Sequence, residues 1–361
     1  MPIPPLYGHE GTRNRLVGAL ASGRLPQALL FEGPRGVGKQ RLALWLAQAL
    51  VCERLGTGEG GRGTSTAEPC GECQPCRMVL NLSHPDVHWF VPLELSKKSG
   101  DADKQVDVVQ EALAEEMAAR REQPLYEAPS GLASHGIAAV RLLLRRLALK
   151  PALGQRKVFL IGDAERLVPQ VGAEAAANAL LKALEEPPAN TVIVLTATAP
   201  EALLPTIRSR VVRVRVARLS DSVVAAFVQR ELGVTGQRAV AQRVAAADGC
   251  IGRVLATGER EDRGGEAAER FAAAVNAGPV GRYAFALGQQ PFQARGGFTE
   301  MLDGLLERLR EQARSGGETG TVVRAMAQVL EARGLAQGNV NPQLVAAVLG
   351  GDWERAGTAP E

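Results

Sequence analysis

The residues best suited to chemistry lie in a glycine-rich stretch near the N-terminus. Gly33, Gly38 and Lys39 fit the spacing of a phosphate-binding loop, G-x-x-x-x-G-K-[ST]. The apolar run 28–30 precedes the stretch and the amphipathic run 41–50 follows it, which predicts strand, loop and helix. In such a loop, backbone N–H groups surround phosphate oxygens and the lysine reaches the β- and γ-phosphates. A glycine turn without chemistry is the alternative, which the spacing disfavours.

The last position of this motif holds Gln40 where a hydroxyl residue belongs. Ser or Thr there ligates Mg²⁺, and the longer glutamine amide is a poor substitute. Asp163 follows the apolar run 157–161, and acidic residues at such a strand end handle Mg²⁺ and the attacking water. We therefore predict a degenerate nucleotide site that binds ATP and Mg²⁺ weakly or not at all. Its candidate residues are Gly33, Gly36, Gly38, Lys39, Gln40, Asp163, Thr196 and Arg253.

A second group of candidate ligands consists of four cysteines with the spacing C-x₁₇-C-x₂-C-x₂-C. They are Cys52, Cys70, Cys73 and Cys76. In a reducing compartment, four thiolates at such spacing predict a tetrahedral zinc site. Cys52 is the weakest member, and His84 or His88 could replace it; unrelated cysteines and an iron–sulfur cluster remain alternatives. With four protein ligands the zinc would be structural, since no position is left for a catalytic water.

Length and composition limit the classes of protein to consider. At 361 residues, two or three domains are expected. The chain is 45% hydrophobic but only 4% aromatic, so its cores consist of Ala, Leu and Val, which favours helices. The net charge of +3 neither requires nor excludes a polyanionic partner. No apolar run has the length of a membrane span, and residues 1–5 lack a signal-peptide pattern, so we expect a cytoplasmic protein without membrane contact.

Apolar runs at 157–161 and 191–196 predict strands buried on both faces of a parallel sheet. Helical patterns at 136–149 and 178–188 alternate with them, which predicts an α/β fold. The expected modules are a core (1–216) with a zinc module (about 52–90) and a charged surface insertion (about 94–135), a helical lid (217–260) and an all-helical C-terminal domain (266–361).

Four arginines cluster after residue 207, at positions 208, 210, 213 and 215. Strand alternation places Val212, Val214 and Val216 on the opposite face from Arg213 and Arg215. Such a strand has a basic side, which leaves contact with nucleic-acid phosphates as an open alternative to a solvated surface.

Several motifs resemble, in order, those of the bacterial clamp-loader family of AAA+ proteins. They are Leu25–Phe31, the glycine loop, the cysteine cluster, His84–Asp86, Asn178–Pro188 and Ile207–Arg210. The resemblance covers about residues 5–260, and the last hundred residues match only in being helical, as the family's collar domain is. It implies an AAA+ parallel sheet with a phosphate loop, a small helical lid and a C-terminal helical collar.

The chain departs from the family's ATPase pattern, and these departures indicate which type of subunit the resemblance implies. ATPase subunits have a complete loop and a strand ending in Asp-Glu, where this chain has Gln40, Gly162 and Asp163. The resemblance thus implies the delta-prime type of DNA polymerase III subunit, without competent ATPase activity of its own. Ser209 and Arg210 match the first two residues of the family's Ser-Arg-Cys motif, and Val211 replaces the cysteine. The family's arginine enters a neighbouring subunit's ATP site, so the resemblance makes Arg210, with Ser209, the candidate catalytic residue in trans.

The resemblance also implies the partners and the function. The partners would be gamma/tau and delta subunits, the sliding clamp and primed-template DNA within the assembly. The chain would help to open the clamp and load it on primed DNA. An active gamma/tau-type ATPase is the main alternative, and an unrelated zinc-bearing nucleotide-binding protein is the other.

Overall fold

The structure is a computed structural model that describes residues 3–55, 68–95, 102–122, 133–168, 174–255, 259–291, 297–314, 319–337 and 340–356. These residues form two compact units, the first ending at residue 255 and the second beginning at residue 259. Parts of the predicted zinc module (56–67) and of the predicted charged insertion (96–101 and 123–132) lie outside the described residues. The predicted roles of lid and collar stay predictions.

The first unit is built on a five-stranded sheet with the order β2-β3-β4-β1-β5. Its strands are β1 (Ala28–Glu32), β2 (Val87–Phe90), β3 (Lys157–Ile161), β4 (Thr191–Ala197) and β5 (Val212–Arg215). Every pairing is parallel, with Leu30 of β1 opposite Leu195 of β4 in the centre. All residues of β3 and β4 are buried, as expected for strands covered by helices on both faces. The predicted parallel α/β sheet is confirmed.

The described residues of the first unit include ten α-helices. They are α1 (Glu10–Ala21), α2 (Lys39–Val51), α3 (Gln74–Leu80), α4 (Ala102–Glu122), α5 (Ile137–Ala148), α6 (Ala175–Glu185), α7 (Pro205–Arg208), α8 (Asp221–Arg230), α9 (Gln237–Ala247) and α10 (Ile251–Leu255). Short 3₁₀ turns span Ala164–Leu167 and Pro200–Ala202. Helix α6 ends just before Pro187 and Pro188, which cannot continue it.

Helix α4 lies in the predicted charged insertion and has two different faces. Val106, Val109 and Leu113 are buried in the same apolar core as the sheet. Asp107 and Glu111 are exposed on the other side. The charged residues therefore form a solvated helix face, as predicted, while the apolar residues make the helix part of the core.

The motif His84–Asp86 has a structural role in this fold. The Asp86 carboxylate accepts N–H groups of Ala152, Leu153 and Gly154 at 2.5, 2.8 and 2.9 Å. Burial alone would raise the pKa of Asp86, but these three donors lower it. Because Asp86 immediately precedes β2, this contact fixes the turn after α5 against the start of an edge strand.

Helices α8, α9 and α10 enclose a small apolar cluster of their own, which includes Val224, Phe227 and Val228. The elements of the second unit in its described residues are all helices: α11 (Glu259–Asn276), α12 (Gly278–Leu287), α13 (Gly297–Arg314), α14 (Thr319–Gln337) and α15 (Pro342–Ala356). Its core includes Phe271 and the fully buried Trp353, whose rings meet edge-on with centroids 5.5 Å apart. The predicted helical C-terminal region is confirmed.

A helix that crosses a membrane needs about 20 consecutive, predominantly apolar residues. Among the helices of the described residues, none combines the required length and apolarity.

Candidate functional site

The glycine loop connects the end of β1 to the start of α2. Gly36 and Gly38 have φ angles of 78° and 102°, in the left-handed region that favours glycine. Glycine is required at position 33 for a different reason. A β-carbon there would lie 2.3 Å from the Val216 carbonyl oxygen. The glycine loop thus has the predicted strand-loop-helix context, with β1 before it and α2 after it.

The Lys39 side chain is directed back into its own loop. It is buried, and its Nζ donates to the Gly33 and Pro34 carbonyls at 2.9 Å each and to Thr198 Oγ1 at 3.0 Å. An ammonium group has three donors, so all three are used within the chain. Burial lowers the pKa of Lys39, which the charges of Asp163 and Glu165 oppose. A phosphate would have to compete for these bonds.

Gln40 fills the place beside the end of β3. Its Nε2 donates to Asp163 Oδ2 at 3.1 Å. A β-carbon on Gly162 would lie 2.9 Å from the Cδ, Nε2 and Oε1 atoms of Gln40. The two departures from the ATPase pattern are therefore sterically linked, because a side chain at position 162 requires Gln40 to move.

The ends of β3 and β4 bring further polar groups to the loop. The Asp163 N–H donates to Thr196 Oγ1, and the Thr198 N–H donates to Glu165 Oε1, both at 3.1 Å. Burial, together with the Asp163 charge, raises the pKa of Glu165. Sequence reasoning missed Glu165 and Thr198, although their positions just after two central strands could have indicated them.

Helix α10 contacts the loop through its backbone. The Gly252 N–H donates to the Gly36 carbonyl at 2.8 Å, and a β-carbon on Gly252 would lie 2.5 Å from the Gly36 α-carbon. The Arg253 Nη1 donates to Asp248 Oδ2 at 3.2 Å. His9 is a further neighbour that sequence reasoning missed, with its Nε2 2.9 Å from the Val37 carbonyl. The structure therefore gathers the predicted nucleotide residues around one loop and bonds Lys39, Gln40 and Arg253 to the chain itself.

The four predicted cysteine ligands lie together. Their sulfur atoms are all within 4.8 Å of one another, and no disulfide joins them. The Sγ atoms of Cys52 and Cys70 are 3.7 Å apart, and those of Cys70 and Cys76 are 3.9 Å apart. Ligands about 2.3 Å from a tetrahedral zinc ion lie about 3.8 Å from each other, so the cluster fits such an ion.

Backbone groups favour the thiolate form of Cys70, whereas burial raises the pKa of Cys52 and of Cys76. The N–H groups of Cys70 and Cys73 point at Cys52 Sγ and Cys70 Sγ, at 3.4 and 3.3 Å. Burial raises the pKa of Cys70, but backbone N–H groups of Cys73 and Glu72 outweigh it and bring that pKa down to about 7. The four cysteines could hold a metal ion such as zinc.

The predicted arginine in trans lies elsewhere on the first unit, two residues after the end of α7. Its Nε donates to Glu185 Oε1 at 2.6 Å, and its Nη2 bonds to the same oxygen. Its Nη1 donates to the Thr206 carbonyl at 2.8 Å and to Ser209 Oγ at 3.3 Å. The Arg210 side chain is 31% exposed, so it remains accessible from outside the chain.

The predicted basic strand is only partly realised in β5. Val216 is buried, but Val212 is half exposed because β5 is the edge strand of the sheet. Arg213 pairs with Glu32 on the neighbouring strand, with Nε 2.7 Å from Oε2. This pair neutralises part of the positive charge that the sequence placed there.

The fold is a parallel α/β sheet with a glycine loop between its strand β1 and helix α2, followed by a helical C-terminal region. A family model described as "DNA polymerase III, delta subunit" matches residues 8–220. The chain belongs to this family, and its resemblance to the delta-prime type is confirmed.

Individual relatives of the chain are also subunits of DNA polymerase III. Subunit delta' of DNA polymerase III from Bacillus subtilis is 32% identical over 195 residues, which are 54% of this chain and 43% of that protein. Subunit gamma/tau from Mycobacterium tuberculosis is 31% identical over 206 residues, 57% of this chain and 27% of that protein. The chain thus aligns with less than half the length of these curated relatives.

A solved structure of a gamma subunit-related protein from Thermotoga maritima is also similar. It matches 94% of this chain and 99% of its own, with a TM-score of 0.40 and 16% identity.

Proposed function

We propose that the chain is a delta-prime-type subunit of the DNA polymerase III clamp loader. It would assemble with gamma/tau and delta subunits in the cytoplasm, and help to open the sliding clamp and load it on primed DNA. Helices α8–α10 would act as the lid and α11–α15 as the collar. The family match over residues 8–220 supports the assignment to a clamp loader.

The delta-prime assignment depends on two features of the glycine loop: the hydrogen bonds of its side chains and the glycine at position 162. Lys39 and Gln40 donate to groups of the chain itself, and Gly162 leaves no carboxylate at the position where Mg²⁺ would need one. Both protein contacts to Mg²⁺ are thus replaced. The isolated chain should hydrolyse ATP negligibly, with or without DNA.

The alternative is an active gamma/tau-type ATPase, which the similarity to gamma/tau subunits favours. An ATPase assay on the purified chain distinguishes the two. Turnover in the ordinary enzyme range, about 1–10³ per second, would contradict the delta-prime assignment.

Arg210, with Ser209, would complete the ATP site of a neighbouring subunit. An arginine in trans neutralises charge that develops on the γ-phosphoryl group, and is worth roughly 10³–10⁵ in rate in nucleotide hydrolases. Its partial exposure just beyond the end of α7 supports this role. Other sites of the ring keep their own arginines, so we expect a partial loss of turnover when Arg210 is removed.

The test is a reconstituted loader containing Arg210→Ala, assayed for ATP turnover and clamp loading with clamp and primed DNA. Arg210→Lys should restore little, because an ammonium offers a point charge instead of a planar fork. Wild-type turnover for Arg210→Ala would exclude Arg210 from the mechanism.

The cysteine cluster would hold one structural zinc ion. Cys52, Cys70, Cys73 and Cys76 would occupy all four positions, which excludes a catalytic water. The ion would join the end of α2, where Cys52 lies, to the start of α3.

A further inference from the structure

The guanidinium of Arg210 is held by its own chain along two edges. Glu185 Oε1 accepts from both Nε and Nη2, while the Thr206 carbonyl and the Ser209 hydroxyl accept from Nη1. The Nε/Nη2 edge is one that arginine uses to bind carboxylates and phosphates with two parallel bonds. Glu185 therefore occupies a position that a phosphate oxygen would take.

Buried neighbours fix the distance between these two side chains. Glu185 is the last residue of α6 and follows Leu184, which is buried in the main core. Arg210 comes shortly after Ile207 of α7, which is buried in the same core. The backbones of α6 and α7 are thus held together by packing, independently of the ion pair. The carboxylate and the guanidinium are themselves partly exposed, so an outside anion can reach them.

We propose that Glu185 is a positioning residue that competes for Arg210 with the terminal phosphate of a nucleotide bound to a neighbouring subunit. This inference rests on the proposed role of Arg210. When the phosphate arrives, it displaces the carboxylate from Nε and Nη2, while Thr206 and Ser209 keep their hold on Nη1. Before it arrives, Glu185 keeps the guanidinium oriented but occupied, which lowers the apparent affinity of the assembled site for ATP.

Glu185→Gln tests this competition, because it removes the negative charge and keeps the size of the side chain. An exposed ion pair shifts an equilibrium about two- to fivefold. The KM for ATP of the reconstituted loader should fall by that factor, with kcat unchanged. Glu185→Asp retains the charge but retracts it by one methylene, so its KM should lie between those of wild type and Glu185→Gln.

Glu186→Gln is the matched control. Glu186 is the adjacent exposed carboxylate, and the described structure gives it no ion pair with Arg210. Its replacement should leave the KM for ATP unchanged. In an Arg210→Ala loader, Glu185→Gln should likewise have no effect, because the group for which Glu185 competes is gone.

The outcomes separate this inference from the function on which it rests. If Arg210→Ala leaves turnover unchanged, the role of Arg210 in trans is wrong and the competition falls with it. If Arg210→Ala lowers turnover but Glu185→Gln leaves the KM unchanged or raises it, the role of Arg210 stands and the competition is wrong. A KM that falls equally for Glu186→Gln would also overturn it, since the effect would then reflect surface charge alone.

Discussion

The cysteine cluster and the glycine loop both carry ligand-binding motifs, but their donor groups are used differently. Four sulfur atoms converge within 4.8 Å in the cluster. In the loop, Lys39 and Gln40 are bonded to carbonyl, hydroxyl and carboxylate groups of the chain. Spacing in the sequence predicts that donors will meet, whereas the contacts decide whether those donors remain available to a ligand. Substitutions at the cluster and in the loop test this contrast.

The largest effect is expected at the cluster. Cys76 is fully buried, and Cys76→Ser would replace a thiolate ligand by a hydroxyl with poor affinity for zinc. Because loss of a structural metal is among the strongly destabilising changes, we expect a cost above about 4 kcal/mol, concentrated in residues 68–90. Elemental analysis, hydrogen exchange and urea unfolding measure the metal content, the local opening and the free energy.

Cys250→Ala is the control for this prediction. Cys250 is a buried thiol outside the cluster, so its removal should leave one zinc ion per chain. Wild-type protein without zinc, or with the visible absorbance of an iron–sulfur cluster, would contradict the assignment.

Acid should destabilise the first unit by the next largest amount. Burial lowers the pKa of all four histidines, and brings the pKa values of His88 and His135 to about 4 from 6.5. The folded chain keeps them neutral, while the unfolded chain binds protons first as the pH falls. Stability is therefore fully present above pH 6.5 and decreases toward pH 4, by about 3 kcal/mol for His135.

His135→Gln isolates this contribution. The His135 Nε2 lies 2.7 Å from the Gly162 carbonyl, and a glutamine amide can donate to the same oxygen without titrating. Urea unfolding at several pH values should show a shallower loss of stability for the variant. Parallel curves for the two proteins would show that His135 does not contribute.

The third prediction concerns the close approach of Gln40 to Gly162. It tests whether the Gln40 side chain fills the space beside position 162. Gly162→Ala places a methyl group 2.9 Å from the terminal amide of Gln40, which must move away from Asp163, so the change should cost about 0.5–1.5 kcal/mol, as the loss of one hydrogen bond does. In a Gln40→Ser background the same change should cost little, because the obstructing side chain is gone. Equal costs in both backgrounds would show that the two positions are independent.

The fold was largely predictable because its signals are local. Continuous apolar runs at 157–161 and 191–196 mark strands buried on both faces, and Pro187 marks the end of α6. The buried face of α4 was missed because Val106, Val109 and Leu113 are scattered among charged residues. Their core role becomes visible only when the helix lies against the sheet.

The sequence indicates which residues lie near one another in the candidate sites, but not which side chains bond to each other. Spacing indicates the loop glycines and the three cysteines of C-x₂-C-x₂-C, but it left His84 or His88 as alternatives to Cys52. In the structure Cys52 lies with the other three cysteines. Nothing local indicates that Gln40 meets Asp163, or that Glu185 meets Arg210, because these partners are far apart in the chain. Such contacts depend on the parallel register of the strands and the packing of α6 on α7.

The smallest effect is expected for Arg210→Ala on the stability of the chain. Its size, compared with that for Lys39, distinguishes a partly exposed cation from a buried one. Lys39 is 5% exposed and satisfies two carbonyls and a hydroxyl inside the loop. Arg210 is partly exposed, and its pair with Glu185 is screened by water.

Arg210→Ala should therefore change the free energy of unfolding by less than about 1 kcal/mol. Lys39→Met leaves buried acceptors without a donor, so it should cost about 1–3 kcal/mol. Urea unfolding of the two variants side by side measures both values. If Arg210→Ala costs as much as Lys39→Met, Arg210 is a structural anchor of α7, and a loss of ATP turnover in its variants would no longer identify a residue that acts in trans.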